Sequence, residues 1–236
     1  MKQHSKSVSI LYHVYPGIII TVFFSVITPF IVKRGLPPQL SMLIAIAVVV
    51  VPVLLLHLNK AKKSEGVGRI RDLIVYKEEL TTAKLILYTA GLIIFAFLVY
   101  GLTQPLNEII TDKLFFWLPD WYKVRDFQGY TKTVILITLV LNLLLNGLLA
   151  PYLEELYFRG YLLPRMETWG KVAPLVNAVL FSLYHFWQPQ IYLTLIIALF
   201  PMTYLVWKTK SLKLAIYVHC GLNIIGALLS FGMINS

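Results

Sequence analysis

Apolar residues run through this chain in long blocks rather than in alternation, and the blocks are long enough to cross a bilayer. A membrane-spanning helix needs about 20 mostly apolar residues. Seven stretches meet that measure, at roughly 9–32, 40–58, 84–103, 132–153, 172–188, 190–207 and 212–233. A shorter helical stretch, 154–167, follows the fourth and either prolongs it or forms a separate half-helix, giving seven or eight helices. The pattern predicts an all-α fold, a polytopic transmembrane helical bundle that makes 1–236 a single integral membrane domain. A β-barrel would show short alternating segments instead. No internal repeat, low-complexity tract or soluble domain is visible. The polar start, Met1 to Ser7, leads into the first apolar run without a small-residue cleavage site. The first helix is therefore expected to be retained rather than removed as a signal peptide.

Composition agrees with that picture. Of the 236 residues, 58% are hydrophobic and 14% charged, whereas soluble domains are nearer a quarter charged. The net charge of +10 does not point to nucleic acid, because the basic residues sit in loops beside apolar spans. There they fix topology and meet anionic headgroups, making membrane lipid an expected partner. An inside N-terminus puts 15 Lys and Arg on the cytoplasmic side, among them Arg159, Arg165 and Lys171. It leaves 5 outside: Lys33, Arg34, Lys113, Lys123 and Arg125, with Lys132 at a border. That bias predicts a cell-membrane protein with a cytoplasmic N-terminus and an outer C-terminus. The 59–84 loop reads as a solvated, partly helical connector. The 104–131 loop, with Phe115, Phe116, Trp117, Trp121 and Tyr122, reads as an interfacial anchor, or as a lid over a substrate entry. The only cysteine is Cys220, so no intrachain disulfide is possible.

Three polar motifs change the picture from an inert bundle to a catalytic one. They are Glu154-Glu155-Leu156-Tyr157-Phe158-Arg159, Phe181-Ser182-Leu183-Tyr184-His185 and His219-Cys220-Gly221-Leu222-Asn223. Ionisable groups are costly in a bilayer and normally face a protein-lined cavity, so they are functional candidates by default. Glu155 and Arg159 are four apart and share a helical face, where they can pair. Glu154 projects about 100° away and is free for another partner, so the two carboxylates can have different roles. Phe181 and His185 share a face, as do His219 and Asn223. Glu154 with His185 could hold and deprotonate a water. A ring N–H of His219 and the amide of Asn223 could hold the oxygen of a tetrahedral intermediate. Each motif alone also has a plain structural reading, in an interfacial glutamate or an interhelical histidine. The three together, on three spans in order, favour an intramembrane hydrolase.

These motifs, Glu-Glu-x-x-x-Arg, Phe-x-x-x-His and His-x-x-x-Asn, resemble those of the CPBP family, also called the Abi or CAAX protease family, whose best-known members are type II CAAX prenyl endopeptidases. All three are present without substitution, within roughly 150–225 and so inside a motif-bearing core at 132–233. The resemblance implies a helical bundle with a conical cavity open to the cytoplasm. It implies peptide-bond hydrolysis by a glutamate-activated water, with no covalent intermediate and no cofactor. By motif position, Glu154 is the general base and His185 orients the water. His219 and Asn223 form the oxyanion site, and Glu155 with Arg159 supports it. The expected partner is a peptide or protein substrate arriving from the membrane or the cytoplasmic face. Family members differ in substrate, from prenylated CAAX proteins to peptides linked to bacteriocin self-immunity.

Rival readings are a zinc peptidase, a scaffold and a transporter. Glu154, His185 and His219 are acceptable zinc ligands, but the usual His-Glu-x-x-His motif is absent. A non-catalytic scaffold or self-immunity protein has no need of the acid, base and oxyanion groups. A transporter would show Gly/Pro-broken helices in two matching halves, which are not seen. Cys220 points about 100° from His219 and reads as packing. Tyr157 and Trp187 read as packing too, and His4, His13 and His57 as tail or interface residues.

Overall fold

The computed structural model describes residues 1–123, 127 and 129–232, with the side chains of 123, 231 and 232 left aside. Arg125 and the last residues of the chain, on which part of the charge-based topology rests, lie outside the described residues. Among the described residues six helices are long and apolar enough to cross a membrane. These are α1 (Lys6–Lys33), α2 (Pro38–Ser64), α3 (Thr82–Leu114), α4 (Lys132–Arg165), α6 (Pro189–Thr209) and α7 (Leu212–Gly232), counting its last two residues. The seventh apolar helix, α5 (Ala173–Tyr184), has only 12 residues. Its length is about 18 Å, short of a hydrocarbon core of about 30 Å, so the residues after it help to carry the chain to the start of α6. The protein is thus the all-α polytopic bundle expected, with helix ends that differ in places.

The largest difference is in α4, where 154–167 is no separate half-helix. The helix runs on to Arg165, because its backbone widens rather than breaks. Asn142–Leu149 and Leu156–Leu162 are π-helical turns, a form that often marks functional sites. Pro151 lies just past the first of them and has no N–H to give the Asn146 carbonyl. Glu154 therefore sits about 16 Å from the Arg165 end of α4, well inside the bundle rather than at the end of a span. The third span also runs further than expected. At 33 residues α3 is about 50 Å long against a hydrocarbon core of about 30 Å, longer than one crossing needs, and its last turns carry the polar Asn107, Glu108 and Asp112. Much of the 104–131 loop is therefore helix. Phe116 and Trp117 are exposed, whereas Trp121 and Tyr122 pack edge-on against Phe24.

One end of the bundle collects the N-terminus, the segment between α2 and α3, the residues after Arg165 and the α6–α7 turn. The 59–84 connector is packed there, not merely solvated. Leu73, Ile74 and Tyr76 are buried, and Lys77 forms an isolated antiparallel bridge with Ser211. Arg165 is almost wholly buried and donates to both carboxylate oxygens of Glu65, at 3.0 and 3.1 Å, and to the carbonyls of Leu73 and Tyr161. It thus ties the connector to α4 with the fork geometry that only arginine offers. The His4 amide donates to the Arg165 carbonyl at 3.0 Å, and burial pushes the His4 imidazole down to about 4. His4 is therefore a neutral packing residue.

α5 is held between α1, α4 and α6. Its contact with α1 needs glycine. A methyl at Gly17 would fall 2.8 Å from the Tyr184 carbonyl carbon and 2.9 Å from its Cα, and closer still to its oxygen. Small residues at membrane-helix interfaces allow such backbone approach. His13, one turn earlier, is fully buried and is no tail residue. Its Nδ1 lies 2.6 Å from the Ser9 carbonyl, which can only accept, so Nδ1 carries the proton. Nε2 then accepts from Asn177 Nδ2 at 2.9 Å, and the same amide donates to the Phe158 carbonyl at 3.0 Å. One buried network therefore pins α1 and α5 to the second π turn of α4. Replacing Gly17 by alanine forces α1 and α5 apart against backbone. The expected loss is about 3 kcal/mol or more, at or above the upper end for overpacking, read as a lower unfolding midpoint in detergent. An unchanged midpoint would contradict this packing.

Candidate active site

The buried half of the site is an ion-pair cluster between α4 and α7. Glu155 and Arg159 are both fully buried, one turn apart on α4, and Arg159 Nη1 donates to Glu155 Oε1 at 3.1 Å. Arg159 is accordingly not one of the basic loop residues that set topology. Its Nη2 reaches Thr203 Oγ1 on α6 at 3.4 Å, and its guanidinium lies 3.8 Å from the Phe181 ring centroid. An arginine in such a place needs both its carboxylate and its aromatic face, because an unpaired buried charge is strongly disfavoured. His219 comes from α7, and its Nδ1 is 2.8 Å from Glu155 Oε1. A carboxylate oxygen accepts, so the His219 proton is on Nδ1 and the ring is oriented by Glu155, as carboxylates orient functional imidazoles elsewhere.

The other face of His219 meets Glu154. His219 Nε2 and Glu154 Oε2 are 3.9 Å apart, too far for a direct hydrogen bond but suited to a bridging water. The other carboxylate oxygen, Oε1, accepts from the Tyr184 hydroxyl at 3.0 Å. The adjacent glutamates therefore have separate partners: Glu155 holds Arg159 and His219, while Glu154 holds Tyr184 and faces Nε2 of His219. His219 is about 10 Å from the start of α7, so the site lies within the span rather than at its end.

His185 follows the last residue of α5 and is half-buried. Its Nδ1 lies 2.8 Å from the Phe181 carbonyl, so Nδ1 is again the protonated nitrogen and Nε2 carries the free lone pair. The ring packs on Phe181, Tyr184 and Trp187, with centroids 4.8 to 4.9 Å away. Phe181 also touches His219 at 5.9 Å, so one aromatic ring joins the second motif to the other two. Tyr122 reaches this loop from the α3–α4 segment, its hydroxyl donating to the Phe186 carbonyl at 3.0 Å. Asn223 lies one turn beyond His219 on α7. Its Nδ2 donates to the Asn146 carbonyl at 2.8 Å, the carbonyl that Pro151 leaves without an N–H partner. Asn223 thus joins α7 to the first π turn of α4 and keeps one amide N–H for another acceptor.

Glu154, Glu155, Arg159 and His219 therefore form one cluster, His185 stands beside it across Phe181, and Asn223 lies a turn away. Tyr184, Thr203 and Phe181 complete the arrangement. Tyr184 lay in the second motif without being singled out, and a hydroxyl one residue from His185 was the only signal for it. Tyr157 and Trp187 pack as expected, and the Tyr157 hydroxyl donates to the Tyr12 carbonyl at 2.8 Å. His57 lies in the same aromatic cluster, with Tyr12, Tyr15 and Tyr157 around it. Cys220 is half-buried and free. Among the described residues no three His, Cys, Asp or Glu side chains are grouped closely enough to hold a metal ion. No curated protein and no solved structure matches the chain. Residues 136–225, which carry all three motifs, match the model of the family described as type II CAAX prenyl endopeptidase Rce1-like, so the resemblance read from those motifs holds over the segment that builds this site.

Proposed function

We propose that this protein is an intramembrane endopeptidase that cleaves a peptide bond with a water held at Glu154. The observation that carries the proposal is the pair of buried glutamates with divided partners, one hydrogen-bonded to Tyr184 and open toward His219 Nε2, the other held at Oε1 by both Arg159 and His219 Nδ1. In this reading Glu154 takes a proton from the water as its oxygen bonds the scissile carbonyl carbon. The proton then passes to the leaving amine as the C–N bond breaks. His185 accepts from the same water through Nε2 and so orients it. The oxyanion is met by the free N–H of Asn223 and by His219. With Nδ1–H committed to Glu155, His219 donates from Nε2 when both ring nitrogens carry protons, and Glu155 supports that charge. Glu155 and Arg159 hold the frame.

The substrate is a peptide or protein reaching the site from the membrane or from the basic end of the bundle, which is the cytoplasmic end if Lys and Arg follow their usual bias. The N-terminus is then cytoplasmic and the C-terminus outside. A CAAX-type prenylated tail is the first substrate to try, given the family match. The test is release of the tail from a farnesylated CAAX peptide by purified protein in liposomes, with and without a strong chelator. Cleavage that survives chelation supports the metal-free route, and cleavage lost on chelation and restored by zinc transfers Glu154, His185 and His219 to a metal. Asn223→Ala is expected to slow cleavage on the order of 100-fold, as for other oxyanion donors; a wild-type rate would remove Asn223 from the oxyanion site.

A further inference from the structure

Tyr184 is the fully buried phenol at the end of α5, and the catalytic reading above does not require it. Its hydroxyl makes one hydrogen bond to a side chain, to Glu154 Oε1 at 3.0 Å. Nothing about packing demands this. The ring is already enclosed by Phe158, Phe181 and Trp187, with centroids 4.9, 5.9 and 5.1 Å away. A phenylalanine would fill the same space. The backbone of Tyr184 is fixed just as firmly, because α1 meets it at Gly17 with no side chain between. Asn177, two turns earlier on α5, is fastened to His13 of α1 and to the Phe158 carbonyl of α4. The phenol is therefore carried by a rigid support that begins in α1, outside the segment 136–225 that matches the protease family.

A carboxylate on a helix rotates about its side-chain bonds, and a general base must present one chosen oxygen to the water. In this site one oxygen is taken by the Tyr184 hydroxyl and the other is left 3.9 Å from His219 Nε2. We propose that Tyr184 is a positioning residue, whose hydroxyl clamps Oε1 of Glu154 so that Oε2 is the oxygen offered to the water, and that α1 sets this clamp through Gly17. The proposal rests on the endopeptidase reading for its catalytic consequence but not for the contact itself. It makes the N-terminal helix part of the catalytic apparatus rather than a membrane anchor.

The test is Tyr184→Phe, which removes one oxygen and keeps the ring. Difference infrared spectra between wild type and Glu154→Gln, taken in liposomes, isolate the carboxyl band of Glu154. In Tyr184→Phe that band is expected to shift, because the group loses its strongest donor. With the farnesylated CAAX peptide as probe, kcat is expected to fall roughly 10- to 100-fold, the range of one hydrogen bond to a charged group, while KM stays unchanged. A merely structural role would lower folding yield while leaving kcat at the wild-type level. An unshifted band, or a wild-type kcat alongside a shifted band, would overturn the proposal. If wild-type protein and Glu154→Gln are equally inert on the probe, that result falls on the choice of substrate or on the endopeptidase reading. The infrared band then still decides whether Tyr184 clamps Glu154.

Discussion

Glu155→Ala is expected to destabilise the bundle by about 3–5 kcal/mol, the usual consequence of removing one member of a buried ion pair. Arg159 is fully buried and has no second carboxylate within ion-pair distance among the described residues. Its other partners, the Thr203 hydroxyl at 3.4 Å and the face of Phe181, carry no net charge and cannot balance it. The same substitution frees His219, whose Nδ1 then loses its acceptor, so the ring no longer holds Nε2 toward Glu154. Stability and cleavage should therefore fall together. Unfolding in detergent measures the first and peptide release the second. Glu155→Gln keeps the shape but not the charge and should lie between alanine and wild type. A Glu155→Ala protein as stable as wild type would mean that Arg159 is not held as described.

Glu154→Gln should behave in the opposite way. The amide oxygen can still accept from the Tyr184 hydroxyl, and the side chain keeps its volume, so insertion and stability should hardly change. What is lost is the capacity to take a proton from water. General-base contributions are roughly 10²–10⁴-fold in rate, so cleavage should drop by about that factor or fall below detection. The contrast between adjacent glutamates, one governing stability and the other governing rate, is the clearest signature of the divided partners seen in the site. If both variants lost stability equally, the two carboxylates would be doing the same structural work.

The spans were legible because they depend on composition over about 20 residues, and hydrophobic blocks of that length have few alternatives in a membrane. Their ends were less so. α4 runs on to Arg165 because π turns absorb the strain around Pro151, and α3 projects to Leu114 because a polar helix end is as comfortable in water as a loop. Neither is written in hydropathy. The charged motifs stood out because Glu154, Glu155 and Arg159 are costly in apolar surroundings. Their neighbours did not. Gly17, His13 and Asn177 are unremarkable one at a time and matter only because α1 and α5 meet, a contact between residues 164 apart for the His13–Asn177 pair. Arg165 read only as a basic residue at a span end, and nothing in hydropathy marked it as the fork that fastens the connector through Glu65. Tyr184 reads as one more aromatic in an aromatic-rich segment until α4 places Glu154 against its hydroxyl.

The most direct test of the central claim compares membrane peptidomes and proteomes from cells carrying the wild-type protein and Glu154→Gln at matched expression. Protein fragments present only with wild type are the expected result, and they would name the substrate as well as establish hydrolysis. Identical profiles, with Glu154→Gln still supporting whatever phenotype the wild-type protein confers, would contradict the endopeptidase reading and place the protein among membrane scaffolds or self-immunity proteins.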